Sequence, residues 1–124
     1  MSPNKEPLND EMPIPLVRLT EAEVLGLRAA FDRVLAPLGD VRVYLFGSRA
    51  RTDQKGGDID LLVVCASKPV TATTQFTRRL CMAVEDEIGE QKIDIVWDVP
   101  GNDHAVIQMA KQQGVLIWRA TAAT

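Results

Sequence analysis

Asp58 and Asp60 stand two residues apart in Gly57-Asp58-Ile59-Asp60-Leu61-Leu62-Val63, a run that otherwise reads as a β-strand. Side chains alternate along a strand, so both carboxylates face one way while Ile59, Leu61 and Val63 face the other. Two residues rise about 6.6 Å, close enough for both acids to converge on one ion or an ion pair. Asp94 repeats the pattern between Ile93 and Ile95. If the two strands are neighbours, about 4.8 Å apart, all three acids share one patch. Carboxylates crowded on a partly buried sheet face repel one another, and a divalent cation offsets that repulsion. An all-oxygen donor set suits Mg²⁺ or Mn²⁺ rather than zinc, and Mg²⁺ is usually held by a few carboxylates plus substrate phosphates.

Taken singly, each acid has a plainer reading. Asp58 follows Gly56–Gly57 and could close a turn, and Asp60 or Asp94 could sit at a solvated edge. Gly47–Ser48, directly after an apolar run, adds weight to the chemical reading. A glycine lets the backbone approach a ligand, and a serine offers a hydroxyl at a helical turn whose free N–H groups favour anions. Arg49 and Arg51 follow, with guanidinium forks that match phosphate. No G-x-x-x-x-G-K-[ST] phosphate loop occurs, and with His104 the only histidine no Ser-His-Asp set is available.

The elements that must position these residues are legible in outline. Thr20 and Glu23 form an S/T-x-x-E capping box ahead of Val24, Leu27, Ala30, Phe31, Val34 and Leu35 at helical spacing, and Pro37 and Gly39 end that helix near residue 36. A strand is predicted over residues 41–46, a polar and basic loop over 48–57, and a second strand from Asp58 to about Cys65. A helix presenting Phe76, Leu80, Val84 and Ile88 follows and closes at Gly89. Then come a strand over 92–97, a turn over 100–102, a shorter helix ending at Gly114, and a last strand over 115–118. The order is α-β-β-α-β-α-β.

At 124 residues the chain is one domain long, and it folds with about two thirds of its unfolded surface buried. The domain is expected over residues 19–119. A flexible arm bearing Pro3, Pro7, Pro13 and Pro15 precedes it over 1–18, and a frayed tail follows over 120–124. The longest apolar run, 61–66, is too short to cross a membrane, and no secretory signal pattern opens the chain. A net charge of −3 argues against stable or non-specific nucleic-acid binding. Cys65 and Cys81, both in apolar segments, fit reduced thiols in a cytoplasm. No separate substrate-binding domain fits in this length, so recognition of the acceptor must come from elsewhere.

The ordered set Gly47-Ser48-Arg49-Ala50-Arg51, then Gly57-Asp58-Ile59-Asp60-Leu61-Leu62-Val63, then Asp94, resembles the polymerase-β-like nucleotidyltransferases. Within that superfamily it is most similar to the minimal nucleotidyltransferases (MNT) that are the antitoxins of HEPN–MNT toxin–antitoxin pairs. The resemblance spans residues 20–118. It implies an α/β (α+β) nucleotidyltransferase fold, a mixed central sheet of about four strands with helices packed on it. It implies that Asp58 and Asp60 hold two Mg²⁺ ions (or Mn²⁺) bridging ATP, and that Asp94 completes the metal site and helps activate the attacking hydroxyl. Gly47 and Ser48 would hold the β/γ-phosphates with help from Arg49. The implied reaction moves AMP from ATP to a hydroxyl, a tyrosine's by family analogy, of a HEPN ribonuclease toxin, with which the chain would form a hetero-oligomer. Thr52 and Gly57 depart from the usual glycine and serine of relatives and touch loop geometry only.

Two other functions compete. Transfer to a small aminoglycoside-type acceptor is disfavoured because no acceptor domain follows Asp94. Neutralisation by contact alone leaves the three acids without a use. The remaining conspicuous residues take structural readings: His104 as a surface or capping residue, Trp97 as core or edge packing opposite Asp94, Glu85, Asp86, Glu87 and Glu90 as a solvated helix face, and the cysteines as small core residues.

Overall fold

The computed structural model describes residues 13–15, 17–50, 58–65, 72–99 and 104–121, without the side chains of Ser48 and His104. The first part of the expected arm, most of the basic loop with Arg51, and the turn at 100–102 lie outside the described residues.

Helix α1 (Glu21–Val34) starts as its sequence demands. Thr20 Oγ1 accepts from the Glu23 N–H at 3.0 Å, and Glu23 Oε1 accepts from the Thr20 N–H at 2.9 Å, so two otherwise unpaired donors are satisfied reciprocally. Its stripe Val24, Leu27, Phe31 and Val34 is buried, and Arg28 is buried with it. A 3₁₀ turn (Ala36–Leu38) leads into strand β1 (Val41–Phe46), which runs directly into a second 3₁₀ turn (Gly47–Ala50). Strand β2 (Ile59–Cys65), helix α2 (Thr73–Ile88), strand β3 (Ile93–Trp97), helix α3 (His104–Gln113) and strand β4 (Val115–Ala120) complete the predicted order. Asp58, expected as the first residue of the second strand, immediately precedes it, and the last strand runs two residues beyond the expected Trp118.

The strands form one mixed sheet in the order β3-β2-β1-β4. β1 is antiparallel to both its neighbours, and β2 runs parallel to β3, the arrangement that α2 permits by carrying the chain back across the sheet. This is the α/β architecture expected. Alternation sorts the sheet into two faces. Ile59, Leu61 and Val63 join Val41, Val43 and Leu45 in the main core, where α1 and α2 supply Leu27, Phe31, Leu80 and Val84. Each such fully buried aliphatic side chain contributes about 1.5–3 kcal/mol. Gly26 lets α1 and α2 approach, because a Cβ there would collide with the Ile88 side chain. The opposite face carries a smaller cluster, Phe46 and Leu62 under Ile107 and Ala110 of α3. Lys111 of α3 pairs with Asp98, just past β3, at 2.6 Å and ties the helix to that face.

A register irregularity between Val43 and Tyr44 on β1 places Ile117 of β4 in a bulge. Arg28 Nε donates to the Ile117 carbonyl at 2.8 Å and Nη2 to the Pro13 carbonyl at 3.0 Å. Nearby, Trp118 packs edge-on to Phe31 at 5.7 Å and donates to Asp32 Oδ1 at 2.8 Å. The arm expected through residue 18 therefore ends earlier: Val17 is buried in the main core and the Arg18 main chain bonds to Arg49. Its apolar side chain and a donor reaching Pro13 from α1 hold the segment that proline content alone marked as loose.

Candidate active site

The sequence left open whether the strands bearing the acids are neighbours. They are: β2 and β3 pair in parallel with Asp60 directly opposite Asp94. Paired residues project from the same face, so the two carboxylates start about 4.8 Å apart at the backbone and point together. On its other side Asp60 faces Phe46, the last residue of β1. The face they share is the one α3 covers further along, over Leu62, so the acids stand at its uncovered end. Asp58 precedes Asp60 at the head of β2, where the Ile59 N–H donates to the Lys92 carbonyl at 3.0 Å and begins the pairing with β3.

The electrostatics report that convergence. Burial pushes the Asp60 carboxyl above the usual carboxylate range, the Asp94 charge raises it further, and the Asp58 charge adds to both. Asp58 meets a counter-charge in Lys92, whose Nζ lies 3.8 Å from Oδ2 with most of its side chain in solvent. Sequence reasoning missed Lys92, which no motif marks.

Gly47 closes the site from β1. Its φ is +73°, a left-handed conformation, and a Cβ placed on it would fall on Asp60 Oδ2. The turn it opens, Gly47–Ala50, contains Ser48 and Arg49. Arg49 is held from the arm: its Nη1 donates to the Arg18 carbonyl at 3.2 Å and its carbonyl accepts from the Arg18 N–H at 2.8 Å. That pairing and the buried Arg28 also escaped the sequence reading. An arginine within the apolar stripe of α1, between Leu27 and Phe31, was the available signal for Arg28.

The donor set suits a hard divalent cation: carboxylate oxygens on paired strands, in a field negative enough to push the Asp60 carboxyl above its ordinary range. Among the described residues no three acidic, histidine or cysteine side chains are gathered into a ready-made metal cage.

The residues declined as chemical take structural places. Trp97 is buried beneath α2, 6.2 Å from Phe76, and donates to Thr77 Oγ1 at 2.8 Å. Glu85, Asp86, Glu87 and Glu90 are exposed. Cys65 and Cys81 are free and half-buried, and burial pushes both thiols up, away from reactivity. His104 is the first residue of α3. No helix among the described residues is long and apolar enough to cross a membrane.

Residues 41–122 match the model of the family described as polymerase beta, nucleotidyltransferase. Among solved structures, one mutant of the toxin–antitoxin MntA–HpeT is similar with a TM-score of 0.57 at 17% identity, over 81% of this chain and 73% of that one. A second MntA–HpeT mutant gives 0.55 at 21% identity, over 81% and 72%. A toxin–antitoxin with AMP-PNP gives 0.57 at 20% identity, over 81% and 73%. These likenesses establish the shared fold. No curated protein matches the chain.

Proposed function

Because the chain belongs to the polymerase β nucleotidyltransferase family, we propose that it is a cytoplasmic antitoxin that transfers AMP from ATP to a hydroxyl of a HEPN-type toxin. The observation that carries this reading is the register pair Asp60–Asp94, with Gly47 packed on Asp60. An acid pair and a glycine turn meeting at one sheet end have the parts that nucleotidyl transfer needs. The similarity to toxin–antitoxin structures, one of them with AMP-PNP, favours a toxin as acceptor and ATP as donor.

In this reading Asp58, Asp60 and Asp94 hold Mg²⁺. Bound there, the metal neutralises phosphate charge and stabilises the attacking and leaving oxygens of an in-line displacement. The Gly47 turn receives the β- and γ-phosphates on its N–H groups and on Ser48, with the Arg49 charge behind them. The acceptor oxygen bonds to the α-phosphorus as the bond to the pyrophosphate oxygen breaks. Asp94, the more exposed of the register pair, accepts the hydroxyl proton.

The test is mass analysis of the co-expressed partner after incubation with the chain, ATP and Mg²⁺. An increment of one or more AMP units that disappears with Asp58→Ala/Asp60→Ala is expected. An unmodified partner, or equal modification by the double variant, would sink the reading.

A further inference from the structure

The Arg18 main chain is joined to Arg49 twice: its N–H donates to the Arg49 carbonyl, and its carbonyl accepts from the Arg49 guanidinium Nη1. The Arg18 end of that link is fixed independently of the turn. Val17 is buried in the main core, and the Val17 N–H also donates to the Pro15 carbonyl at 3.0 Å. The Pro13 carbonyl accepts from Arg28, which is buried on α1 and also holds the β4 bulge. The other end is a four-residue 3₁₀ turn, a form with few and poorly aligned internal hydrogen bonds. Such a turn needs an outside support to keep its N–H groups in one arrangement.

From this geometry we propose that residues 13–15 and 17–19 form a strap that sets the Gly47–Ala50 turn, with the Arg18 main chain as the positioning group for triphosphate binding. The proposal rests on the reading that this turn receives the phosphates. The strap touches no reacting atom. It acts by holding the turn where Gly47 already packs on Asp60, so the phosphate-binding and metal-binding halves keep their spacing. The stretch ahead of α1 thereby has a role in the site.

The test compares two variants of the full chain. Arg18→Pro removes the N–H that Arg49 accepts from, and Arg18→Ala loses the same side chain but keeps that N–H. Amide hydrogen exchange at residues 47–50 reads the strap itself. Exchange there should be about tenfold faster in Arg18→Pro than in Arg18→Ala, the worth of one hydrogen bond, with α1 and β4 still protected. Binding of a fluorescent ATP analogue with Mg²⁺ should weaken by a similar factor. In transfer assays KM should rise while kcat stays within about twofold, as expected for lost substrate binding rather than lost chemistry. Equal exchange in the two variants overturns the strap. Faster exchange with unchanged nucleotide affinity overturns its positioning role. If the wild-type chain binds no nucleotide, the reading of the turn fails, while the exchange comparison still decides whether the strap holds it. Should Arg18→Pro also unprotect α1, Val17→Ala, which loosens the core anchor and leaves the main chain intact, must show the same faster exchange or the strap is overturned.

Discussion

Gly47 lies directly against the carboxylate of Asp60. A Cβ on the glycine would fall on Oδ2 and come within 3.1 Å of Cγ. Phe46, one residue earlier, is the cross-strand partner of Asp60, so the contact is fixed by strand register and does not depend on a loop. The turn that leaves β1 and the acid that heads β2 are therefore one structural unit. Neither can change shape without moving the other.

Gly47→Ala should accordingly fail twice. The left-handed φ of +73° costs a non-glycine residue about 1 kcal/mol, and the methyl displaces the Asp60 carboxylate. The expected result is a loss of about 1–2 kcal/mol in thermal or urea unfolding and at least a tenfold loss of nucleotide transfer. A variant with wild-type stability and wild-type Mg²⁺ affinity would show that the carboxylate is not held where it stands.

The raised Asp60 carboxyl makes metal-free stability depend on pH with a definite sign. Between the ordinary carboxylate range and the raised one, the folded chain keeps a proton that the unfolded chain has released. Stability from this group therefore falls as pH rises through that window, and ionised Asp60 is a net cost at neutral pH. Asp60→Asn should raise the metal-free Tm at pH 7 by about 2–4 °C. The gain should shrink as pH falls to about 4, the unfolded-state range. Unfolding curves in chelator from pH 4 to 8 measure it. A variant less stable than wild type at pH 7 would mean that Asp60 is held by attraction rather than crowded by repulsion.

What could be read in the sequence was what is local. The Thr20–Glu23 box, the stripe of α2 and the alternation around Asp60 each depend on neighbours within a few residues, and each appears as read. The facing of Asp60 and Asp94 depends on strand order, which residue pattern does not encode, and could only be stated as a condition. The same holds for Arg28. Its partners Ile117 and Pro13 lie 89 and 15 residues away, and one is a bulge carbonyl that exists only once β4 has paired. Val17 was lost to the prolines around it. They mark a segment that cannot be helical, which differs from one that cannot be ordered.

Arg28 should prove structural and hard to replace. Arg28→Met keeps much of the apolar stem but leaves the Ile117 and Pro13 carbonyls without their guanidinium donor. An expected loss of about 1–3 kcal/mol follows from one buried acceptor and one part-buried acceptor deprived of their donor. Burial pulls the Arg28 guanidinium below its ordinary value, so the site already bears a desolvation cost that these bonds offset. Arg28→Lys should recover only part, because one ammonium cannot match a fork spanning two carbonyls. Urea unfolding of the three chains distinguishes this from simple loss of packing, which the Lys variant would restore.

The acid patch makes a final prediction that ties stability to metal. On the proposed reading Mg²⁺ binds only the folded chain, so saturating metal should raise the Tm, by the equivalent of about 2.7 kcal/mol at a hundred times its dissociation constant. Asp60→Asn, more stable than wild type without metal, should gain almost nothing from it. The two curves should therefore cross as Mg²⁺ is added. Asp94→Asn should also lose most of the metal response, because Asp94 is the register partner that completes the patch. Lys92→Ala tests the opposite direction. The exposed Lys92–Asp58 pair, 3.8 Å apart, is worth under about 1 kcal/mol. Its removal leaves Asp58 to rotate toward Asp60, and Mg²⁺ should bind about twofold more tightly. Thermal shift against Mg²⁺ concentration reads all four chains together. Parallel curves for wild type and Asp60→Asn would remove the metal from this site.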